Sequence, residues 1–131
     1  MDTNVGVKFE DLLLSENGNS GIEPRWGQRI YTEKKFTKAS LESALGSKLN
    51  TILANTPSMI KYVITTIADL CATYGAASFI VAALDSERER LIMYLDKINR
   101  GQCTYIVDRT YWVPGPIYGY YVYDSNVLTY I

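Results

Sequence analysis

The sequence contains no histidine, and this absence removes several kinds of chemistry from the chain's own side chains. Histidine supplies the base of Ser–His and Cys–His nucleophiles, and it is the commonest metal ligand in proteins. Only two cysteines are present and no CxxC pair occurs, which excludes a four-thiolate metal site within the chain. No glycine-rich phosphate loop and no carboxylate pair typical of acid–base catalysis is visible. The sequence therefore favours a protein that is not an enzyme and that uses neither a cofactor nor a metal.

The net charge is also small, because the charges of the 131 residues sum to −1. A nearly neutral chain has no bulk attraction to nucleic acid or to an anionic membrane. The only basic residue among the last 27 is Arg109, which disfavours nucleic acid as a partner of the C-terminal part. A small-molecule substrate is disfavoured too, since the groups that would transform it are missing.

The two cysteines, Cys71 and Cys103, leave two alternatives open. They can form one disulfide if the chain is exported, or they can remain as two thiols in a reducing compartment. No signal peptide is visible, because the start lacks basic residues and the apolar run Leu12–Leu14 is too short for a signal core. Cytoplasmic and exported locations are both compatible with these features.

The length of the chain predicts a single domain over residues 1–131. Residues 1–36 show no sustained periodicity and are predicted to form an irregular arm. Residues 37–100 carry helical periodicity, and residues 101–131 are rich in tyrosine and in strand-forming residues.

Apolar residues recur every three or four positions through the middle of the chain, which predicts amphipathic helices. A helix begins at Pro57, because proline at the first helical position loses no hydrogen bond. The apolar stretch that follows offers two breaks, at Gly75 and at Ser86, and we predict the break at Gly75. The predicted helices cover about 38–54, 57–74 and 77–99.

The period changes after residue 101, where strand-forming residues alternate with turn sequences. Two short segments are typical of turns: Pro114-Gly115-Pro116 and Asp124-Ser125-Asn126. Two turns between three strand-like runs predict an antiparallel meander, with strands at about 102–113, 117–123 and 127–131. Two or three helices packed on such a sheet give an α+β fold.

Tyrosine is the most unusual part of the composition, with eleven residues against three phenylalanines. Strand alternation predicts Tyr118 and Tyr120 on one face of the sheet and Tyr121 and Tyr123 on the other. One helical layer covers one face only, so the other is expected to be an exposed aromatic surface that binds protein. Cross-strand aromatic pairing that stabilises the sheet is the alternative interpretation. The candidate interaction residues are Tyr111, Trp112, Tyr118, Tyr120, Tyr121 and Tyr123.

These features support two hypotheses for function. The first is a non-catalytic module for protein interaction or self-assembly, whose partner is another protein or a second copy of the chain. The second is an exported, bacteriocin-like or toxin-like protein that inserts the apolar hairpin 57–84 into a membrane, although Asp69 disfavours a stable single span. The residues expected to form the core, or to insert, are Ile60, Val63, Ile67, Leu70, Phe79 and Ile80.

Overall fold

The computed structural model describes residues 6–14, 26–72 and 75–131, and within these ranges the chain forms six helices and one four-stranded antiparallel sheet. The predicted α+β fold is confirmed. The strands are β1 Val7–Lys8, β2 Ile30–Phe36, β3 Ile106–Pro114 and β4 Tyr120–Tyr130, and their spatial order is β1-β4-β3-β2. The helices are α1 Phe9–Leu14, α2 Lys38–Leu45, α3 Leu49–Ala54, α4 Thr56–Cys71, α5 Ala77–Ser86 and α6 Arg88–Asn99.

The helical part contains more breaks than the sequence predicted. The helix predicted over 38–54 is two helices, because Gly46 adopts the left-handed conformation (φ 74°) that ends α2. The carboxylate of Glu42 then accepts a hydrogen bond of 2.8 Å from the backbone nitrogen of Leu49, which starts α3. The helix predicted over 77–99 is divided at Glu87, so both breaks that the sequence offered after Pro57 are present.

The sheet is larger than the predicted meander, and the prediction of an irregular arm over 1–36 is wrong for its described residues. The arm supplies β1, α1 and the edge strand β2, which pairs with β3 along its full length. The C-terminal part supplies two long strands, β3 and β4, instead of three short ones. The hydrophobic periodicity of the arm is weak, but its segments form strands because β3 and β4, which are distant in sequence, supply their hydrogen-bonding partners.

The turn predicted at residues 124–126 is a β-bulge inside β4. Tyr111 pairs with Ser125, and the next residue of β3, Trp112, pairs with Tyr123. Asp124 is therefore the extra residue, and the alternation of side chains shifts by one position at this point. Asp, Ser and Asn resemble a turn in sequence, but the long neighbouring strand keeps the chain extended on both sides of the bulge.

The helices pack on one face of the sheet, which we call the inner face. The side chains on this face belong to the same hydrophobic core as those of the helices. The strand residues of that core include Ile30, Phe36, Ile106, Trp112 and Leu128. The helical residues of that core include Leu41, Leu45, Leu49, Ile52, Val63, Ile67, Ile80, Leu84, Leu91, Leu95 and Ile98. Strand alternation directs the intervening residues of β2 and β3 to the opposite, outer face.

Candidate interaction surface and aromatic recess

A row of stacked arginine and tyrosine side chains crosses the outer face of β2 and β3. The guanidinium carbon of Arg29 lies 4.0 Å from the centre of the Tyr111 ring. The Tyr111 and Tyr31 rings lie directly opposite each other in the register, with centroids 5.5 Å apart. The guanidinium carbon of Arg109 then lies 4.8 Å from the centre of the Tyr31 ring. We call Arg29, Tyr111, Tyr31 and Arg109 the ladder.

Two carboxylates fix the ends of the ladder. Arg29 donates hydrogen bonds of 3.0 and 2.9 Å from Nε and Nη2 to Asp124, the extra residue of the bulge. Arg109 donates one of 2.8 Å from Nε to Glu33, its partner across the β2–β3 pair, and this bond raises the pKa of Arg109. The side chains of Arg29 and Arg109 remain 52% and 44% exposed. The ladder thus holds two accessible guanidinium groups in fixed positions.

A buried polar network lies beneath the ladder, on the inner face. Asp108 is 1% exposed, and its carboxylate accepts hydrogen bonds from the Thr110 hydroxyl (2.9 Å) and from the Asn126 amide (3.2 Å). The Tyr123 hydroxyl in turn donates a hydrogen bond to Oδ1 of Asn126. The network ties β3 to β4 next to the bulge, so it stabilises β3, the strand that carries both Tyr111 and Arg109.

Burial governs the ionisation of this network. Desolvation raises the pKa of Asp108, and the hydrogen bonds from Thr110 and Asn126 together with the charge of Lys34 offset only part of that effect. Desolvation, followed by the charges of Asp108 and Asp124, raises the pKa of Tyr123 to about 12. The Tyr123 hydroxyl therefore stays protonated at neutral pH and acts as a hydrogen-bond donor.

Cys71 lies at the end of α4 near the same network, and its thiol is not activated. Burial and then the charge of Asp108 raise the pKa of Cys71, while the charge of Lys34 lowers it to a smaller degree. A thiol with a raised pKa carries little thiolate at neutral pH, which makes it a poor nucleophile. Within the described ranges, no three Cys, Asp or Glu side chains are placed to hold a metal ion.

A second feature, the aromatic recess, lies where β1 and α1 meet the start of β4. It is a cavity of about 250 Å³ lined by Phe9, Glu10, Trp26, Tyr118 and Gly119. The backbone nitrogen of Phe9 donates a hydrogen bond of 2.8 Å to the carbonyl of Gly119, which joins the start of α1 to the turn before β4. This bond places Phe9 beside Tyr118 although the two residues are far apart in sequence.

The candidate interaction residues named from the sequence do not form one surface. Tyr111 belongs to the ladder, and Tyr118 lines the recess with 83% of its surface exposed. Trp112 and Tyr121 lie in the core, where Nε1 of Trp112 donates a hydrogen bond of 3.2 Å to Oγ1 of Thr32. The two remaining tyrosines are partly exposed: Tyr120, which pairs with Lys8, and Tyr123, which stacks on Phe79 at 5.1 Å.

The six residues of the predicted core or inserting hairpin pack mainly inside the protein. Val63, Ile67 and Ile80 are fully buried, and Ile60 and Leu70 pack against the core from its edge. Phe79 is 38% exposed and covers the ring of Tyr123. None of the helices in the described part of the chain combines the length and the apolar character needed to cross a bilayer. Cys71 and Cys103 are both free thiols, the first buried and the second partly buried.

Sequence reasoning missed several residues of both features: Arg29, Tyr31, Glu33, Phe9, Glu10 and Trp26. A signal for the ladder is nevertheless present in the sequence. Arg29, Tyr31 and Glu33 alternate along one strand, and Arg109 and Tyr111 alternate along another. Alternation assigns each set to one face of its own strand, but it does not show that the two strands are neighbours.

Comparison with known proteins found no matching family model, no matching curated protein and no matching solved structure.

Proposed function

We propose that this protein is a non-catalytic interaction module that binds a protein partner through the ladder. The observation that carries the proposal is the pair of half-exposed guanidinium groups, of Arg29 and Arg109, held on the faces of Tyr111 and Tyr31. Arginine and tyrosine are enriched among the residues that dominate binding energy at protein interfaces. Side chains that are already fixed lose less conformational entropy when a partner binds.

The charges around the ladder favour a second copy of the chain as the partner. A two-fold symmetric interface places a patch against itself, so that the patch must contain both members of each complementary pair. Arg29 with Asp124 and Arg109 with Glu33 put both signs within one patch. Each arginine can therefore meet a carboxylate of the other copy while it remains close to its own.

Charge reversal at the ladder tests this proposal. The wild-type protein is expected to show concentration-dependent dimerisation in sedimentation equilibrium, and the double variant Arg29→Glu, Arg109→Glu is expected to weaken it at least about tenfold. The matched control is Arg88→Glu, Arg90→Glu, because these arginines are similarly exposed and also pair with carboxylates, Asp85 and Glu87. Equal dissociation constants for the two double variants would contradict self-association through the ladder.

A heterologous partner is examined with the same variants. If the wild-type protein is monomeric at all concentrations, its own copy is excluded as the partner. Immobilised wild-type protein and the ladder variant are then compared for the proteins they retain after cross-linking. Retention of the same proteins in the same amounts by both would overturn the interaction proposal.

The membrane alternative predicts a different result and is tested separately. Insertion of the hairpin 57–84 would require Val63, Ile67 and Ile80 to leave the core, so it predicts dye leakage from liposomes together with loss of tertiary structure. The interaction module predicts no leakage at protein concentrations at which it binds its partner.

A further inference from the structure

We propose that the aromatic recess binds a methylated ammonium group, such as a trimethylated lysine side chain or a choline headgroup. This site is separate from the ladder and does not depend on the function assigned to it. The recess combines aromatic rings and one carboxylate around a space that the described residues leave open.

The rings of the recess meet at steep angles. The Phe9 and Trp26 rings lie 5.8 Å apart at 81°, and the Trp26 and Tyr118 rings lie 4.9 Å apart at 54°. Rings at such angles direct their faces and edges toward a shared space, whereas parallel rings would only cover one another. A rounded ligand can therefore contact more than one ring at once.

Tyr121 forms the fixed base of this arrangement. It is fully buried, stacks on Phe9 at 5.1 Å and meets the edge of Trp26 at 5.1 Å. Its hydroxyl accepts a hydrogen bond from the Gly27 nitrogen (3.0 Å) and donates one to the Gln28 carbonyl (2.7 Å). The segment that carries Trp26 is thereby attached to the strand that carries Tyr121, so the recess is formed before any ligand binds.

The charge of the recess favours a cation. Aromatic faces carry negative electrostatic potential, and Glu10 is the only charged residue among the described residues of the lining. Among the described residues none forms a salt bridge with Glu10, so its carboxylate can neutralise a bound ligand. Each charged or aromatic group that the structure describes in the lining thus attracts a cation.

The composition of the lining selects a methylated ammonium over other cations. A primary ammonium is strongly hydrated, and it would lose water that one carboxylate replaces only in part. A guanidinium presents five donors, and Glu10 is the one acidic side chain in the described part of the lining. A trimethylammonium group has no donors and is covered by methyl groups, which match the rings. Its positive charge distinguishes it from a neutral branched alkyl group of the same shape.

The experiment compares a cation with its neutral isostere. Choline and Nε-trimethyllysine are titrated into the full-length protein by calorimetry and by NMR of the indole signals, next to 3,3-dimethylbutan-1-ol, in which carbon replaces the nitrogen of choline. We expect both cations to bind and the alcohol to bind at least about fivefold more weakly, since cation–π contacts distinguish them. Equal binding of choline and the alcohol, or no binding of either cation, would overturn the proposal.

Two variants locate the site. Tyr118→Ala is expected to weaken cation binding at least about fivefold, and Glu10→Gln about threefold. The matched controls are Tyr130→Ala, which removes another exposed tyrosine, and Glu89→Gln, which removes an equal charge from α6. Thermal unfolding of each variant confirms that it is folded. If Tyr118→Ala binds like the wild type while it is folded, the recess is not the site.

Two further experiments distinguish a protein side chain from a lipid headgroup as the source of the ligand. A peptide with trimethyllysine that binds more tightly than choline assigns the site to a protein partner. Flotation with phosphatidylcholine vesicles, lost in Tyr118→Ala, assigns it to a lipid headgroup. Either result supports the recess as a methylated ammonium site.

Discussion

The side-chain amide of Asn126 lies 3.2 Å from Oδ1 of Asp108, and this bond joins β4 to a buried carboxylate of β3. The other carboxylate oxygen of Asp108, Oδ2, accepts a hydrogen bond from the Thr110 hydroxyl. A carboxylate in this position is hydrogen-bonded but remains without the water that would stabilise its charge.

We expect the stability of the protein to depend on pH through Asp108. Because burial raises its pKa in the folded state, its contribution is fully present below the unfolded pKa and is lost as the pH rises through the folded pKa. Asp108→Asn removes this titration, so the difference in free energy of unfolding, variant minus wild type, should become more positive from pH 4 to pH 7. Urea unfolding at both pH values measures the change, and the exposed Asp96→Asn serves as the control.

Truncation of Asp108 to alanine should be harmful at every pH. Asp108→Ala leaves the Thr110 hydroxyl and the Asn126 amide without their acceptor and opens a small cavity. We expect a loss of about 2–4 kcal/mol in the free energy of unfolding. A loss below about 0.5 kcal/mol in urea titrations would show that the network contributes little.

Lys34 is predicted to stabilise the end of α4. Its Nζ donates hydrogen bonds of 3.1 Å to the carbonyls of Leu70 and Ala72, and its charge lies at the negative end of the helix. Lys34→Met should lower the free energy of unfolding by about 1–2 kcal/mol. The adjacent Lys35→Met is the matched control, with an expected change below about 0.5 kcal/mol, because Lys35 makes only a distant contact of 5.7 Å with the Tyr105 ring. Equal effects of the two substitutions would refute this role.

Gly6 is predicted to be required where β1 joins the sheet. It has φ +85°, and a Cβ at this position would lie 2.3 Å from the carbonyl oxygen of Tyr121. Gly6→Ala should therefore cost more than Gly101→Ala, where φ is also positive (+72°) but no atom lies within 4 Å. We expect about 1 kcal/mol for Gly101→Ala and at least about 2 kcal/mol for Gly6→Ala in thermal unfolding. Similar melting temperatures for the two variants would contradict the close approach.

The two thiols should differ in reactivity. Cys71 is buried with a raised pKa, and Cys103 is partly buried with a pKa that desolvation raises and Lys97 lowers. A thiol reagent at pH 8 is expected to modify Cys103 in the native protein, more slowly than free cysteine, and to modify Cys71 only after unfolding. Mass spectrometry of the peptides identifies the modified residue. Simultaneous modification of both would show that α4 opens readily.

Local patterns in the sequence were sufficient to predict the fold class and the helix that starts near Pro57. They were insufficient at Gly46, because glycine within an apolar repeat is compatible with either a helix or a left-handed end. They also gave no indication that Asp108, inside a predicted strand, would be buried. Its burial depends on Asn126, 18 residues further along the chain, and on a strand register that single-sequence patterns do not determine.

The candidate sites show the same limit. Strand alternation predicted aromatic side chains on both faces of the sheet, but it did not indicate which tyrosines would be covered. Tyr121 is buried because Phe9 and Trp26, from the N-terminal arm, pack against it. The ladder likewise requires β2 from that arm to lie beside β3. Both features depend on contacts between distant parts of the chain.

The bulge at Asp124 divides β4 into two segments. The residues that face the helices have odd numbers in the first segment and even numbers in the second. Tyr121 and Tyr123 face the helices before the bulge, and Asn126 and Leu128 face them after it, so the inner face changes from odd to even positions. If Asp124 were deleted, one half of the strand would have to turn its buried side chains toward solvent or slide along β3 by one residue. A single-residue deletion should therefore be far more damaging here than in a surface turn, which the same three residues resemble in sequence.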